Sequence, residues 1–307
     1  MSRPMPTNPL ARQISYASGA ASRPGRAAIR LLENATGRLG LIRRAQGLEA
    51  ELAQGRDLWE AACGRFGIGL EVTRGSLDRI PSAGPVVVVA NHPYGILDGL
   101  ALGRILSARR GPDFRILAHR VFRRAPELER VILPIDFDET AEAREVNIAT
   151  RAEALRHLSA GGAIGIFPGG TVSTAPRPFG RPLDPVWRGF TARMILRSEA
   201  AVVPVFFEGQ NSRVFQIASH VHSALRLGML LAEFRRRVGT SVRLAVGEPI
   251  ARGRIEALRH DPRALMAMLR QATYDLSPDP VPPGALGHEF EAKHRRPETE
   301  SAGWLLR

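Results

Sequence analysis

A chain of 307 residues, 44% of them apolar and carrying a formal charge of +13, is long enough for one sizeable core or for a core with a small accessory unit. The single cysteine, Cys63, excludes a disulfide framework and a cysteine-based metal cluster, and no apolar run approaches the roughly 20 residues needed to span a bilayer. The basic residues are arginines apart from Lys293. Their excess draws the protein toward nucleic acid, an anionic membrane surface or phosphate-bearing substrates without choosing among them.

Residues 1–23 are basic and rich in small residues but lack the apolar centre of a signal peptide, so they read as a flexible N-terminus. The expectation is a soluble or peripheral protein on the cytoplasmic side. Residues 24–67 carry apolar positions at three- and four-residue spacing with arginines between them, which predicts an amphipathic helical pair. Such a pair packs on a main domain or lies on a membrane surface. Cys63 falls in "LWEAACGRFGI", an apolar helical setting that makes it a buried spectator.

From residue 68 to 276 short β-branched runs alternate with longer helical stretches. Strands are predicted at "LEVTRG", "VVVVAN", "FRILAH", "RVILPID", "AIGIF", "AVVPVFFEG" and "SVRLAVGEPI". Helices are predicted over Asp98 to Arg109, Thr140 to Ser159, Trp187 to Ser198, Ser219 to Val238 and Pro262 to Leu276. This is an α/β layout around a central, mostly parallel sheet with flanking helices. The near-continuous apolar run "VVVVA" fits a strand covered on both faces. Residues 277–307, proline-rich and charged, read as an extended C-terminal tail.

In such sheets ligands bind beyond the carboxyl ends of the strands. His92 sits there, after "VVVVAN", and Asp98 follows in the first turn of the next helix, past a Pro-Tyr-Gly turn. A carboxylate on one imidazole nitrogen fixes the tautomer and raises the basicity of the other, which then takes a proton from a hydroxyl or amine. The local alternative is a plain turn, with Asn91 and Asp98 capping the helix and His92 filling space. The pair alone does not decide between them.

Two further strand ends are polar. "GAIGIFPGGTVSTAPRPFGRP" carries Gly169, Gly170, Thr171 and Ser173, then Arg177 and Arg181. Backbone N–H groups, hydroxyls and arginines of this kind suit an anion. "AVVPVFFEGQNSRVF" ends in another polar cluster. Three such strand ends point to one shared site.

The ordered set "ANHPYGILDG", "GIFPGGTVS", "DPVWRGF", "VVPVFFEGQNS" and "LRLGMLLAEFRRRVGTSVRLAVGEPI" resembles the lysophospholipid acyltransferase superfamily, and within it the hemolysin-like bacterial branch related to ornithine-lipid acyltransferases. The resemblance runs from about residue 70 to 276. It implies an enzyme of lipid metabolism with an acyl-CoA or acyl carrier protein donor, a lysolipid acceptor, and no metal or redox cofactor. It further implies His92 as general base, Asp98 as its orienting partner, and donors from the Gly169–Gly170 turn for the tetrahedral oxygen. Asn91, Gly169, Gly170, Thr171, Ser173, Arg177 and Arg181 are the expected substrate-binding residues.

Two departures qualify what is carried over. Five residues, Pro93 to Leu97, separate histidine from aspartate where four is commoner. The usual Phe-Pro-Glu-Gly-Thr-Arg block reads Phe167-Pro168-Gly169-Gly170-Thr171-Val172, so its acidic and arginine contacts are missing. Either Arg177, Arg181 or Arg188 replaces them, or the acceptor is not lysophosphatidic acid. Pro204 matches a late proline that shapes a strand end.

The rivals are a lipid hydrolase, for which no Gly-x-Ser-x-Gly elbow is present, and a catalytically inactive lipid- or nucleic-acid-binding relative. Against nucleic acid, no helix-turn-helix, zinc-finger or aromatic RNA-binding signature occurs. "EFRRRVG" reads as a helix end favoured by the dipole. His119, His157, His220 and His222 show no ligand-like grouping. The expectation is therefore a peripheral acyltransferase at an anionic membrane surface, with no nucleic-acid partner.

Overall fold

The computed structural model describes residues 15–17, 22–119, 126–135 and 140–290. Most of the expected flexible N-terminus, the last seventeen residues of the tail and the His119 side chain lie outside them.

Among the described residues seven strands are formed, one at each run anticipated from the sequence: β1 (Gly69–Arg74), β2 (Val86–Ala90), β3 (Phe114–His119), β4 (Ile132–Ile135), β5 (Ala163–Ile166), β6 (Ala201–Phe207) and β7 (Ser241–Val246). They lie in the order β1-β7-β6-β2-β5-β3-β4. Every neighbouring pair is parallel except β6 with β7. The mostly parallel α/β sheet is thus observed.

The helices are α1 (Arg23–Thr36), α2 (Arg38–Ala45), α3 (Leu48–Ala53), α4 (Leu58–Phe66), α5 (Ile96–Arg110), α6 (Pro126–Glu129), α7 (Ala141–Ser159), α8 (Gly189–Leu196), α9 (Arg213–Val221), α10 (Ser223–Arg237), α11 (Arg252–Glu256) and α12 (Pro262–Tyr274). They cover both faces of the sheet, and the central strand shows why its sequence is a continuous apolar run. Val86, Val88 and Ala90 of β2 join the cluster built with Leu102 of α5, Trp59 of α4 and Phe234 of α10. Val87 and Val89 point the other way, into the cluster built with Leu158 of α7, Met194 of α8 and Leu269 of α12. Successive residues of a strand face opposite sides, so a strand between two helical layers has no polar position. Burying a valine-sized side chain contributes roughly 1.5–3 kcal/mol, and all five β2 residues have zero exposure.

Two helical expectations need correction. The anticipated pair over residues 24–67 is four shorter helices, α1 to α4. Gly37, with φ +121°, ends α1 by donating its N–H to Glu33 O, a conformation that side-chain-bearing residues avoid. These helices pack on the sheet domain: Leu32 of α1 lies over Gly228 of α10, Trp59 of α4 over Gly103 of α5, and Phe66 meets Phe234 edge-on at 5.1 Å. Cys63 is buried in α4, and burial pushes its thiol up to about 11. The helix expected over Ser219 to Val238 is split. His222 is extended (φ −162°, ψ 138°), and its Nδ1 accepts the N–H of Ala224 to cap α10. The preceding helix begins earlier, at Arg213, capped by Ser212.

The described part of the tail returns across the domain. Gly287 donates its N–H to Asp184 O at 2.9 Å and His288 to Thr174 O at 2.8 Å. Glu289 accepts both terminal nitrogens of Arg188 at 3.0 Å. Among the described residues no helix is long and apolar enough to cross a membrane.

Candidate active site

The sheet order places β2 between β5 and β6, so the three polar strand ends singled out in the sequence are neighbours. Val89 pairs with Ile166 of β5 and with Pro204 of β6. Pro204 O accepts the N–H of Gly247, where the chain leaves β7.

Asn91 continues β2 with its side chain. Nδ2 donates to Phe207 O at 2.9 Å, and Oδ1 accepts the Phe207 N–H at 2.7 Å. This buried amide ties β2 to the end of β6, so the chain breaks away from the sheet at His92. The Pro93–Gly95 turn then brings Asp98, in the first turn of α5, back beneath the imidazole. Gly95 takes φ +94°, and a Cβ there would stand 3.3 Å from Leu230 and from Val172.

Asp98 is fully buried. Its Oδ2 accepts the N–H groups of Tyr94 at 2.7 Å and Gly95 at 3.0 Å, and the same oxygen lies 3.0 Å from His92 Nδ1. One carboxylate oxygen thus caps the turn into α5 and also faces the imidazole. The Nδ1 contact has the length of a hydrogen bond, but the ring N–H is not aimed along it. Burial raises the Asp98 carboxyl above the ordinary aspartate range, while the His92 ring and the two backbone N–H groups pull it back. The imidazole stacks on Phe167, 4.2 Å between centroids and 23° between planes. With Nδ1 facing Asp98, Nε2 is the nitrogen left for a substrate proton.

A second carboxylate, Asp184, holds the other side of this loop. Its Oδ1 accepts the backbone N–H of His92 at 3.2 Å and the hydroxyl of Ser173, and its Oδ2 accepts Trp187 Nε1 at 2.9 Å. Ser173 in turn donates its N–H to His92 O at 2.7 Å. Asp184 is itself fixed: its N–H donates to the Tyr274 hydroxyl at 2.7 Å, and its carbonyl accepts Arg270 at 2.9 Å. In the sequence, "DPVWRGF" stands out only by its place in the order of motifs. An aspartate before proline, three residues from a tryptophan, was the available signal.

The turn after β5 sits against this scaffold. A Cβ on Gly169 would lie 3.3 Å from the Asp184 side chain, so glycine there lets the turn approach the carboxylate. Gly170 N–H is already committed to Phe167 O at 3.0 Å. Thr171 Oγ1 accepts a terminal nitrogen of Arg226 at 2.6 Å, and Val172 O accepts the same nitrogen at 3.0 Å.

Of the three arginines that could replace the missing block contacts, Arg181 borders the cavity beside Asn91, Pro93 and Ser173. Arg181 donates to Pro280 O at 2.8 Å, the Ser277 hydroxyl at 3.0 Å and Asp279 O at 3.2 Å. Arg188 pairs with Glu289, and Arg177 is exposed. Arg226 of α10, not singled out in the sequence, reaches the Thr171 hydroxyl and the Val172 carbonyl. Its guanidinium lies under Phe290, 4.3 Å from the ring centroid, and burial pulls it down to about 10. A cavity of about 270 Å³ is bordered by Asn91, Pro93, Ser173, Arg181, Glu208 and Tyr274, and neither His92 nor Asp98 lines it.

Among the described residues no group of three or more His, Cys, Asp or Glu side chains is placed to hold a metal ion. His157 contacts Ala163 O and His220 contacts Ala175 O, so both brace backbone.

Residues 50–279 match the family described as Acyltransferase. The chain is 27% identical over 195 residues to the lyso-glycine lipid O-acyltransferase of Phocaeicola vulgatus, an alignment covering 62% of this chain and 67% of that protein. Among solved structures, the 1-acyl-sn-glycerophosphate (LPA) acyltransferase PlsC of Thermotoga maritima aligns with a TM-score of 0.44 and 15% identity over 73% of this chain and 78% of that one.

Proposed function

The chain belongs to the acyltransferase family, and from that premise we propose that it moves a fatty acyl group from acyl-CoA or acyl carrier protein to the free hydroxyl of a lysolipid. The observation that carries the reading is the 3.0 Å approach of His92 Nδ1 to a fully buried Asp98 at the end of β2.

In this mechanism Nε2 of His92 takes the acceptor hydroxyl proton as its oxygen attacks the thioester carbonyl. Asp98 holds the ring in the tautomer that leaves Nε2 unprotonated, and it stabilises the imidazolium that forms. The tetrahedral oxygen is met by donors from the Gly169–Gly170 turn; Gly169 is the candidate, since the turn itself uses Gly170 N–H. Collapse breaks the C–S bond, keeps the new C–O bond, and returns the proton from Nε2 to the departing thiolate. The chemistry needs the thioester co-substrate and no metal or redox cofactor.

For the acceptor, an amino-acid lysolipid is favoured over lysophosphatidic acid. The Phocaeicola relative is named for a lyso-glycine lipid, and Gly169 and Val172 stand where a phosphate-binding block would carry an acid and an arginine. The +13 charge supports work at the anionic cytoplasmic face of a membrane as a peripheral protein. The transfer chemistry belongs to the α/β unit of residues 68–276.

The test is transfer of labelled acyl groups from acyl-CoA and from acyl carrier protein to a panel of lysolipids, including lyso-glycine lipid, lyso-ornithine lipid and lysophosphatidic acid. Wild type is expected to acylate the amino-acid lipids, and folded His92→Ala to lose about 10²- to 10⁴-fold in rate. Release of free fatty acid in place of transfer would support the hydrolase instead.

A further inference from the structure

Helix α9 has two unlike faces. Phe215, Gln216 and Ser219 are buried, whereas Val214, Ile217 and Val221 are 60%, 40% and 67% exposed. Positions three and seven apart share one side of a helix, so these three form a single outward apolar stripe. Leu225, 41% exposed, follows just past the break at His222.

The loop leading away from the candidate site rests against this helix. Ala175 N–H donates to Gln216 Oε1 at 3.0 Å, and Ala175 O lies 2.9 Å from His220 Nε2. Arg213 donates to Phe179 O at 3.0 Å and to Gly180 O at 3.1 Å. The last two contacts hold Phe179 outward at 77% exposure, the largest of any big apolar side chain described.

Charge completes the picture. The two segments that build this face, residues 172–183 and 209–232, contain no aspartate or glutamate, and their exposed arginines are Arg177, Arg181 and Arg213. An apolar stripe with exposed arginines and no acidic residue in its own segments is what an interfacial helix presents to anionic lipid.

From this the geometry points to α9 and the Phe179 loop as the surface that docks on an anionic bilayer, with Phe179, Val214 and Val221 entering the headgroup–acyl boundary. Docked this way, the chain from Phe179 back to Ser173 leads from the lipid surface to the His92 loop. An acidic soluble partner would also meet the charge, but projecting side chains on a convex helix suit insertion into lipid better than a paired protein surface. The choice of a bilayer rests on the proposed lysolipid acceptor.

The test is flotation of the full chain with vesicles of phosphatidylcholine alone and with added phosphatidylglycerol, for wild type, the double variant Phe179→Asp/Val221→Asp, and Leu31→Asp at an exposed position of α1. Circular dichroism confirms folding, and transfer to a short-chain, water-soluble lysolipid without vesicles is measured alongside. The expected result is phosphatidylglycerol-dependent binding that weakens at least about tenfold in the double variant, with binding of the Leu31 variant and transfer to the soluble acceptor by the double variant both retained. Undiminished binding of the double variant, or loss confined to Leu31→Asp, overturns the assignment. So does face-dependent capture of acyl carrier protein with no vesicle binding. Absence of transfer from every protein, with face-dependent vesicle binding intact, would refute the acyltransferase mechanism and leave the docking surface standing.

Discussion

The backbone N–H of His92 donates to the side chain of Asp184 at 3.2 Å, across 92 residues of chain. The histidine is thus gripped from two sides: Asp98 faces its ring and Asp184 its main chain. Asp184→Ala leaves three donors without their acceptor, namely His92 N–H, the Ser173 hydroxyl and Trp187 Nε1. Each buried donor left unpaired costs about 1–3 kcal/mol, so the expected loss of unfolding free energy is about 3 kcal/mol or more. Asp184→Asn, which keeps one acceptor oxygen, is expected to lose less. Urea unfolding of the two variants checks the order, and an alanine variant within about 1 kcal/mol of wild type would remove Asp184 from the scaffold.

Asp98→Asn separates the two duties of the other carboxylate. An amide oxygen still accepts from Tyr94 and Gly95, so the turn into α5 survives. The negative charge beside Nδ1 does not. If that charge orients and stabilises the imidazolium, kcat drops about 10²- to 10⁴-fold with little change in KM. Steady-state kinetics on both substrates read this directly, and a kcat within a factor of about three of wild type would make Asp98 a cap alone.

Titration of Asp98 gives a third expectation, with the same group read two ways. Burial raises its carboxyl above the ordinary 3.8. The neutral acid is therefore favoured in the folded state, so this group's contribution to stability is full below 3.8 and is lost as pH rises through the raised value. The Tm of wild type relative to Asp98→Asn should fall over the window that opens at 3.8 and closes above the raised value. Activity moves oppositely, because the dyad needs the carboxylate: the acid limb of kcat/KM should lie above the ordinary aspartate range. Thermal unfolding of both proteins across that window is decisive, and a constant difference in Tm would refute the coupling.

The difference between what the sequence revealed and what it concealed follows from how each feature is encoded. β2, β5 and β6 were legible because a strand covered on both faces must be apolar at every position, and their polar ends mark where that constraint stops. His92 and Asp98 were legible because both lie within one short turn. Asp184 and Arg226 were not, since their roles depend on which elements the sheet brings together, and nothing local distinguishes a clamping arginine among so many. The break at His222 carries no glycine or proline; an imidazole nitrogen capping Ala224 does the work that Ser212 does for α9. Gly37 was visible, but a glycine inside a helical pattern does not announce whether the helix continues.

The last expectation concerns the front of the chain. Glu33 of α1 has zero exposure, and its carboxylate accepts the Ser15 hydroxyl and the Tyr16 N–H, each at 2.6 Å. This latch places the Tyr16 ring against Val172, Phe215 and Leu230, close to the Gly95 turn beneath the dyad. Glu33→Ala removes the acceptor of both donors and frees residues 15–17 from α1, at a cost of about 2–6 kcal/mol. The Tyr16 phenol, held well above its usual value chiefly by burial, should then return toward 10.0. Because the folded value is the raised one, its stabilising contribution is full below 10.0 and is lost only as pH climbs through the raised value, so the latch strengthens nothing by ionising. Ultraviolet difference titration of wild type, Glu33→Ala and Tyr16→Phe measures the shift. A tyrosine signal that titrates identically in wild type and Glu33→Ala would show that Tyr16 is held by its apolar contacts and not by the buried carboxylate.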